Sequence, residues 1–276
     1  MLSIAFQGEP GAFSELAARA FFGAKARLVP KEHFEDVFRF AARGGSYRGI
    51  IPIENSVFGS VHQNYDLLLG SRLSIIGEIT LRIHHHLMAL RGVRLKDVKF
   101  VFSHPQALGQ CEEFLRSLKG VRRIAYYDTA GAAKMIREEE RTNAAAVASL
   151  QSARSYKLQI LRRNIERNHH NYTRFLCLSR SADIPASQSK TSIVFATRNI
   201  PGALFKALAI FALRDVNLLK IESRPHVGKP WEYLFYLDVL GSLREEKLVR
   251  ALEHLQEVST FTRVLGSYPV GRTVEG

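Results

Sequence analysis

Short apolar runs alternate with helix-length amphipathic stretches through the first two-thirds of the chain, and no other feature narrows the fold as much. A strand followed by a helix can pair in parallel with the next strand, because the helix carries the chain back across the sheet. Residues 2–6 read as a strand, 13–22 as a helix stopped by Gly23, 34–42 as a helix ended by Gly44 and Gly45, and 49–53 as a buried strand. Residues 61–69 read as a helix closed by Gly70. Long alternation over 73–90 predicts an extended strand pair that crosses between two lobes. The rhythm resumes with a strand at 99–102, a helix from Ser103-His104-Pro105 to about 118, and a strand at 121–127. A helix opened by Asp128-Thr129 runs to 139, followed by a strand at 144–148 and a short helix at 150–156. Pro105 fits a first helical turn, where its missing N–H is not needed, and Asp128 or Thr129 is a suitable N-cap.

The texture changes after Arg180. Residues 181–190 are polar and read as a linker, and the remainder is compact. It reads strand 192–197, helix 202–213, strand 218–224, a turn at 228–230, strand 232–240, helix 244–256 and strand 260–267. That order, β-α-β-β-α-β, is the ferredoxin-like split unit. Residues 269–276 are expected to form a loose tail.

With 276 residues, 46% apolar and 24% charged, the chain has room for two globular domains. No apolar run reaches the roughly 18 residues of a membrane helix. The first strand runs into Gln7-Gly8-Glu9-Pro10 without the basic and apolar regions of a signal peptide. Cys111 and Cys177 read as buried thiols, which points to a cytoplasmic protein. Net charge is +13, yet Lys and Arg are scattered without a long basic block. Such a surface steers small anions towards a cleft. An acidic metabolite therefore ranks above nucleic acid, and no membrane partner is expected.

Three strand-to-helix junctions carry polar or glycine turns: 9–12, 103–106 and 128–130. Ligands of open α/β sheets bind outside the carboxyl ends of the strands, where helix N-termini offer free N–H groups to anions. Thr173 and Arg174 stand where a polar loop, 164–171, turns into the apolar run 175–178. A hydroxyl beside a guanidinium suits an anionic substrate with an oxygen leaving group. Of His84, His85 and His86, the outer two share a strand face and His85 points away; without accompanying ligands at metal spacing, these read as structural or surface residues. No phosphate-cradling or dinucleotide-binding glycine motif occurs, so no nucleotide cofactor is expected. Ser103 beside His104 lacks a nucleophile-elbow sequence and does not support a hydrolase.

Five stretches, in order, resemble prephenate dehydratase: Gln7-Gly8-Glu9-Pro10-Gly11-Ala12-Phe13-Ser14, Pro52-Ile53-Glu54-Asn55-Ser56, Ser103-His104-Pro105-Gln106-Ala107-Leu108-Gly109-Gln110-Cys111, Asp128-Thr129-Ala130 and Asn171-Tyr172-Thr173-Arg174-Phe175. The C-terminal part is similar to the family's ACT domain through Asn199-Ile200-Pro201-Gly202-Ala203-Leu204 and Asn217-Leu218-Leu219-Lys220-Ile221-Glu222-Ser223-Arg224-Pro225. The resemblance implies a two-lobed, periplasmic-binding-protein-like α/β catalytic domain over 1–180, followed by an α+β ferredoxin-like ACT domain over 191–268. Lobe one would take about 1–78 plus 165–180, and lobe two about 79–164.

It also implies conversion of prephenate to phenylpyruvate, with loss of carbon dioxide and water, in phenylalanine biosynthesis and without cofactor or metal. Thr173 would be the central catalytic residue, with Asn55, Ser103 and Gln110 as polar partners. Arg174, Phe175, Thr129, Ala130 and Glu54 would shape and hold the substrate. Phenylalanine, as effector, would bind Gly202, Ala203, Leu204, Asn217, Leu218, Glu222, Ser223, Arg224 and Pro225 between ACT domains of a homodimer or homotetramer. Some family members carry an N-terminal chorismate mutase bundle, and that activity is expected to be absent where Met1 leads straight into the first strand.

The chemistry suits these residue types. A positioned hydroxyl can donate to the leaving oxygen. Neutral amides can hold that oxygen without pinning the departing carboxylate, whose tight binding would deepen the ground state. Arg174 or a helix N-terminus is the expected partner of the carboxylate that stays. One departure stands out: the family usually has an acidic residue and often a proline before the catalytic stretch, whereas Arg167 here reverses a charge. The rivals are arogenate dehydratase, the same chemistry on an amino acid, and a non-catalytic ligand-binding sensor.

Overall fold

The computed structural model describes residues 1–185, 189–226, 228–229 and 231–276. In chain order the elements begin with β1 (Ser3–Gln7), α1 (Phe13–Phe22), β2 (Arg27–Lys31), α2 (Phe34–Ala41), β3 (Tyr47–Asn55), β4 (Gly59–Ser60), α3 (His62–Gly70) and β5 (Ser74–Arg82). They continue with β6 (His86–Ala89), β7 (Phe100–Ser103), α4 (Pro105–Gln110), α5 (Glu112–Ser117), β8 (Arg122–Ala125), α6 (Thr129–Glu138), β9 (Ala144–Ala148), α7 (Leu150–Ser155), β10 (Gln159–Arg162) and β11 (Tyr172–Ser179). The last are β12 (Ser189–Ala196), α8 (Ala203–Ala212), β13 (Leu218–Pro225), β14 (Tyr233–Leu240), α9 (Glu246–Val258), β15 (Phe261–Pro269) and β16 (Arg272–Glu275).

Two compact units result, one of Met1–Tyr65, Ile79–Leu176 and Arg272–Gly276, the other of Asp66–Glu78 and Cys177–Gly271. The first unit holds two lobes. Lobe one is built on a sheet of order β16-β5-β11-β3-β1-β2, with β4 paired to β3. Its core strands carry Ile4, Phe6, Ile50, Ile51, Ile53 and Phe175, all fully buried, as expected of strands covered on both faces. Lobe two is a sheet of order β10-β6-β9-β7-β8. Every residue of its central strand β9 is a buried Ala or Val, and these small side chains let Ala130, Ala132 and Ala133 of α6 pack closely.

Several sequence expectations change here, each for a physical reason. Residues 73–90 do not form a strand pair: β5 belongs to lobe one and β6 to lobe two, so the crossing falls at residues 83–85 rather than near 79. Strand β2 has no signature in the sequence because it carries Pro30; it is an edge strand, where a missing N–H is tolerated. The helix expected from 104 to 118 breaks at Cys111, whose φ of −101° and ψ of 10° end α4, and Glu112 and Glu113 open α5. The expected loose tail is a strand, since β16 pairs in parallel with β5 from Arg272 opposite Ile79 to Glu275 opposite Arg82. Cys111 and Cys177 are free and buried, and burial pushes both thiols well up from their ordinary range.

The second unit contains an antiparallel sheet of order β13-β14-β12-β15. Helices α8 and α9 pack Ala207, Ile210, Phe211, Leu248 and Leu255 against Ile193, Phe195, Leu237 and Val239 of that sheet. This is the ferredoxin-like ACT fold. Of the expected linker and of the expected turn at 228–230, residues 186–188 and Pro230 lie outside the described residues.

Candidate active site

A cleft of about 400 Å³ lies within the first unit. Strand ends and helix starts line it: the first turn of α1 (Phe13, Ser14), Asn55 at the end of β3, Thr173 and Phe175 on β11, Gln106 and Gln110 on α4, and Asp128 and Thr129 at the start of α6. No lysine or arginine belongs to the lining among the described residues, and Asp128 is its one carboxylate. Anion binding at this cleft therefore falls to helix N-termini and neutral donors. Helix α1 is the freest of these, because its N-cap, Ala12, has no side chain to occupy the first-turn N–H groups.

One hydrogen-bond network fixes the polar end of the cleft. It starts from backbone: the N–H groups of Val57 and Phe58 donate to Asn55 Oδ1 at 2.9 and 3.0 Å, an Asx turn that closes the end of β3. Asn55 Nδ2 is then the donor, at 2.9 Å to Thr173 Oγ1, 2.8 Å to Asn171 Oδ1 and 3.1 Å to the Tyr172 carbonyl. Asn171 Nδ2 in turn donates to Gln110 Oε1 at 2.9 Å. His85 Nε2 lies 2.6 Å from the same Gln110 oxygen. Thr173 Oγ accepts from Asn55, so its own proton is left to donate. The amide NH₂ of Gln110 is likewise left to donate.

His85 reaches this network from the crossing between the lobes. Its backbone N–H donates to Glu166 Oε2 at 2.9 Å, and His84 Nδ1 lies 2.9 Å from Glu166 Oε1. Burial works against ionisation of Glu166, but the N–H of His85, its own N–H and the His84 ring hold its carboxyl below the usual range. The His85 ring packs edge-on against Phe13, with centroids 5.5 Å apart. It is 3% exposed, and burial pushes its pKa down to about 4, so the imidazole is neutral.

Beyond Asp128 and Tyr127 of the lining lies a charged junction between the lobes. The turn from Gly8 to Ala12 meets lobe two, where Tyr127 Oη donates to Glu9 Oε1 at 3.1 Å and Lys134 Nζ to Glu9 Oε2 at 3.1 Å. The Gly11 carbonyl accepts from Ser149 Oγ at 2.6 Å and Ser152 Oγ at 2.9 Å. Gly11 has φ of +94°, and a Cβ there would sit 2.7 Å from Ser152 Cα, so only glycine fits. Asp128 Oδ1 caps α6 through the Gly131 N–H at 2.7 Å, and burial pushes its carboxyl up. Burial and the neighbouring Glu9 also push the Tyr127 phenol well up.

The structure thus brings Thr173, Asn55, Gln110, Phe175 and Thr129 to one cleft. It separates others. Ser103 is fully buried and donates to the Val147 carbonyl at 2.6 Å, because a hydroxyl on a strand buried on both sides must find a backbone acceptor. Ala130 is fully buried inside lobe two. Arg174 and Glu54 pair at 3.7 Å outside the lining: alternation along β11 turns Thr173 and Phe175 to the cleft and Arg174 away. Arg167 pairs with Glu113 at 3.5 Å, both well exposed. His85 and Asn171 are the members of this network that the sequence reading missed. For His85 the signal was its strand face, opposite to that of His84 and His86; for Asn171 it was its place in the Thr173 motif.

In the second unit, Gly202 takes a left-handed φ of +76° as N-cap of α8, with Ala203 and Leu204 in the first turn. Leu218, Glu222, Ser223, Arg224 and Pro225 lie along β13, and Arg224 Nη2 donates to Asp66 Oδ2 at 2.6 Å. Asn217 lines a different cavity of about 500 Å³ with Asp215, Glu245 and Lys247, and no other expected effector residue joins it there.

The prephenate dehydratase family matches residues 4–183, and the ACT domain family matches residues 191–255. The chain belongs to the prephenate dehydratase family. It is 48% identical to arogenate dehydratase/prephenate dehydratase 2 of Arabidopsis thaliana, over 98% of this chain and 74% of that one. Among solved structures, the prephenate dehydratase of Arthrobacter aurescens in complex with L-Phe has a TM-score of 0.90 at 32% identity, covering 97% of this chain and 90% of that one. GqqA, termed a quorum-quenching acylase, has a TM-score of 0.89 at 36% identity, covering 97% and 98%. The protein is an enzyme of the prephenate/arogenate dehydratase family with a C-terminal ACT domain. Among the described residues, no helix is long and apolar enough to cross a membrane.

Proposed function

We propose that this enzyme converts prephenate to phenylpyruvate in phenylalanine biosynthesis, and that phenylalanine regulates it through the ACT domain. The observation that carries the reading is the neutral, donor-presenting end of the cleft. In this reaction the ring carboxylate leaves as carbon dioxide, and its C–C bonding pair enters the ring. The C–O pair departs with the hydroxyl oxygen, which takes up one proton to become water. The developing negative charge on that oxygen is met by the Thr173 hydroxyl and the Gln110 amide, both aligned before reaction and neither bearing formal charge. A threonine hydroxyl is a weak acid, so Thr173 acts as a hydrogen-bond donor to the departing oxygen and keeps its own proton, and the proton that completes water comes from solvent. Among the described residues, no lysine or arginine of the lining deepens the ground state of the carboxylate that must be lost. The retained carboxylate is suited to the first turn of α1.

Arogenate is the second substrate to weigh. It is named in relatives such as arogenate dehydratase 2 of Petunia hybrida, which is 47% identical over 97% of this chain. Asp128, an acceptor at the charged end of the cleft, is suited to an ammonium group. Carbon dioxide release from prephenate and from arogenate, each with and without phenylalanine, tests the reading. A kcat/KM favouring prephenate and lowered by phenylalanine is expected. A strong preference for arogenate would transfer the assignment to the second substrate, and release from neither would overturn both.

A further inference from the structure

The network has a direction, and that direction has one source. Asn55 Oδ1 accepts from two backbone N–H groups, so the Asn55 amide cannot be turned over without setting donor against donor twice. Its Nδ2 therefore donates, and the oxygen of Asn171 must be the acceptor facing it. The Asn171 NH₂ then faces Gln110 and requires an oxygen there. Gln110 Oε1 is also 2.6 Å from His85 Nε2, so that nitrogen must carry the hydrogen. The consequence falls on the Gln110 amide, which lines the cleft and, with Oε1 committed twice, has its NH₂ left to donate.

We infer that Asn171 and His85 are positioning residues, which together hold the Gln110 amide with its NH₂ towards the leaving oxygen of the substrate. Neither needs to touch the substrate. Asn171 supplies one donor to the inward oxygen and His85 the other, so a reversed amide would oppose N–H to N–H at two places. His85 suits the task because its position is itself fixed. Glu166 holds its backbone N–H at 2.9 Å, Phe13 packs against its ring, and Nδ1 is buried with no hydrogen-bond partner among the described residues. An imidazole with one nitrogen committed and the other sealed is a donor of fixed orientation, not a proton shuttle.

The inference rests on the dehydratase reading, and the experiment separates the two. Wild-type carbon dioxide release tests the reading alone. Asn171→Asp keeps the acceptor that Asn55 needs but removes the donor to Gln110, so the Gln110 amide turns over and presents its oxygen to the cleft. Its kcat is expected to fall about 100-fold, the cost of losing one aligned donor to a developing oxyanion, with KM nearly unchanged. In a Gln110→Ala background the same change is expected to cost nothing further, because there is no amide left to orient. His85→Phe is expected to match Asn171→Asp, and His85→Gln, which restores an N–H near Nε2, to recover at least about tenfold of the lost kcat. If Asn171→Asp costs the same factor with and without Gln110, or if His85→Gln is no better than His85→Phe, the positioning role is wrong. If Asn171→Asp fails to fold, the His85 pair decides. A wild type inactive on both substrates refutes the reading and the inference with it.

Discussion

The two ends of the cleft are built on different principles. At one end Asn55, Asn171, Thr173, Gln110 and His85 meet through neutral groups, and the direction of every proton descends from two backbone N–H groups. At the other, Glu9, Lys134 and Asp128 bring formal charge to the junction of the lobes, and the neutral Tyr127 phenol donates to Glu9. A neutral network can present donors to a forming oxyanion without attracting a carboxylate that must leave. A charged junction can hold two lobes together while chemistry proceeds elsewhere. Under the proposed function, transition-state selectivity and lobe docking would be carried by separate residues and could be broken separately.

Thr173→Ala breaks the neutral end and has the largest expected effect. Loss of roughly 100- to 1,000-fold in kcat is expected, with thermal unfolding unchanged; retention of more than a tenth of wild-type kcat would remove Thr173 from the reaction centre. Gly11→Ala breaks the charged end instead. Its Cβ would meet Ser152 Cα at 2.7 Å, so the lobes must part, and kcat/KM is expected to fall at least about tenfold through KM while pre-organisation around Thr173 survives. Kinetics at saturating substrate separate the two variants.

A third test uses pH and reads stability. The His85 pKa is depressed from 6.5 to about 4, so the fold favours the neutral ring. Its contribution is complete above pH 6.5 and is lost as pH falls through about 4, because the unfolded chain takes up the proton first. On the order of 2–3 kcal/mol is expected to disappear over that window in urea unfolding. His86, depressed chiefly by its burial, acts in the same direction. In His85→Gln the slope is expected to flatten. The smallest effect on turnover sharpens the contrast within β11 itself: Arg174→Gln, one residue from Thr173 but turned away from the cleft, is expected to leave kcat within about threefold.

Local pattern carried much of this architecture. The helices of the first unit and the split β-α-β-β-α-β of the second are legible because amphipathic spacing and glycine stops act within a few residues. Thr173, Asn55 and Gln110 were reachable through their motifs. The polarity of their network was not, since it depends on Val57 and Phe58 N–H groups that only the closed turn aims at Asn55. Ser103 and Arg174 show the complementary failure. A motif says which residues belong together but not which way a strand turns them, and β7 and β11 turn these two away from the cleft. His85 was visible as a residue facing opposite to its neighbours; that its face looked into the cleft required the crossing at 83–85.

Strand β16 changes how the ACT portion is attached. The chain leaves the first unit along β11 and returns to it at Arg272, and the strand it then forms lies beside β5, which is itself the neighbour of β11. In chain order the ACT portion thus falls between two strands of one sheet, β11 and β16. Removing residues 272–276 would uncover the hydrogen-bonding edge of β5 over Ile79–Arg82. An uncovered edge is a template for a strand from another molecule. Those few residues act as the selvedge of the sheet, finishing an edge that would otherwise fray into aggregation.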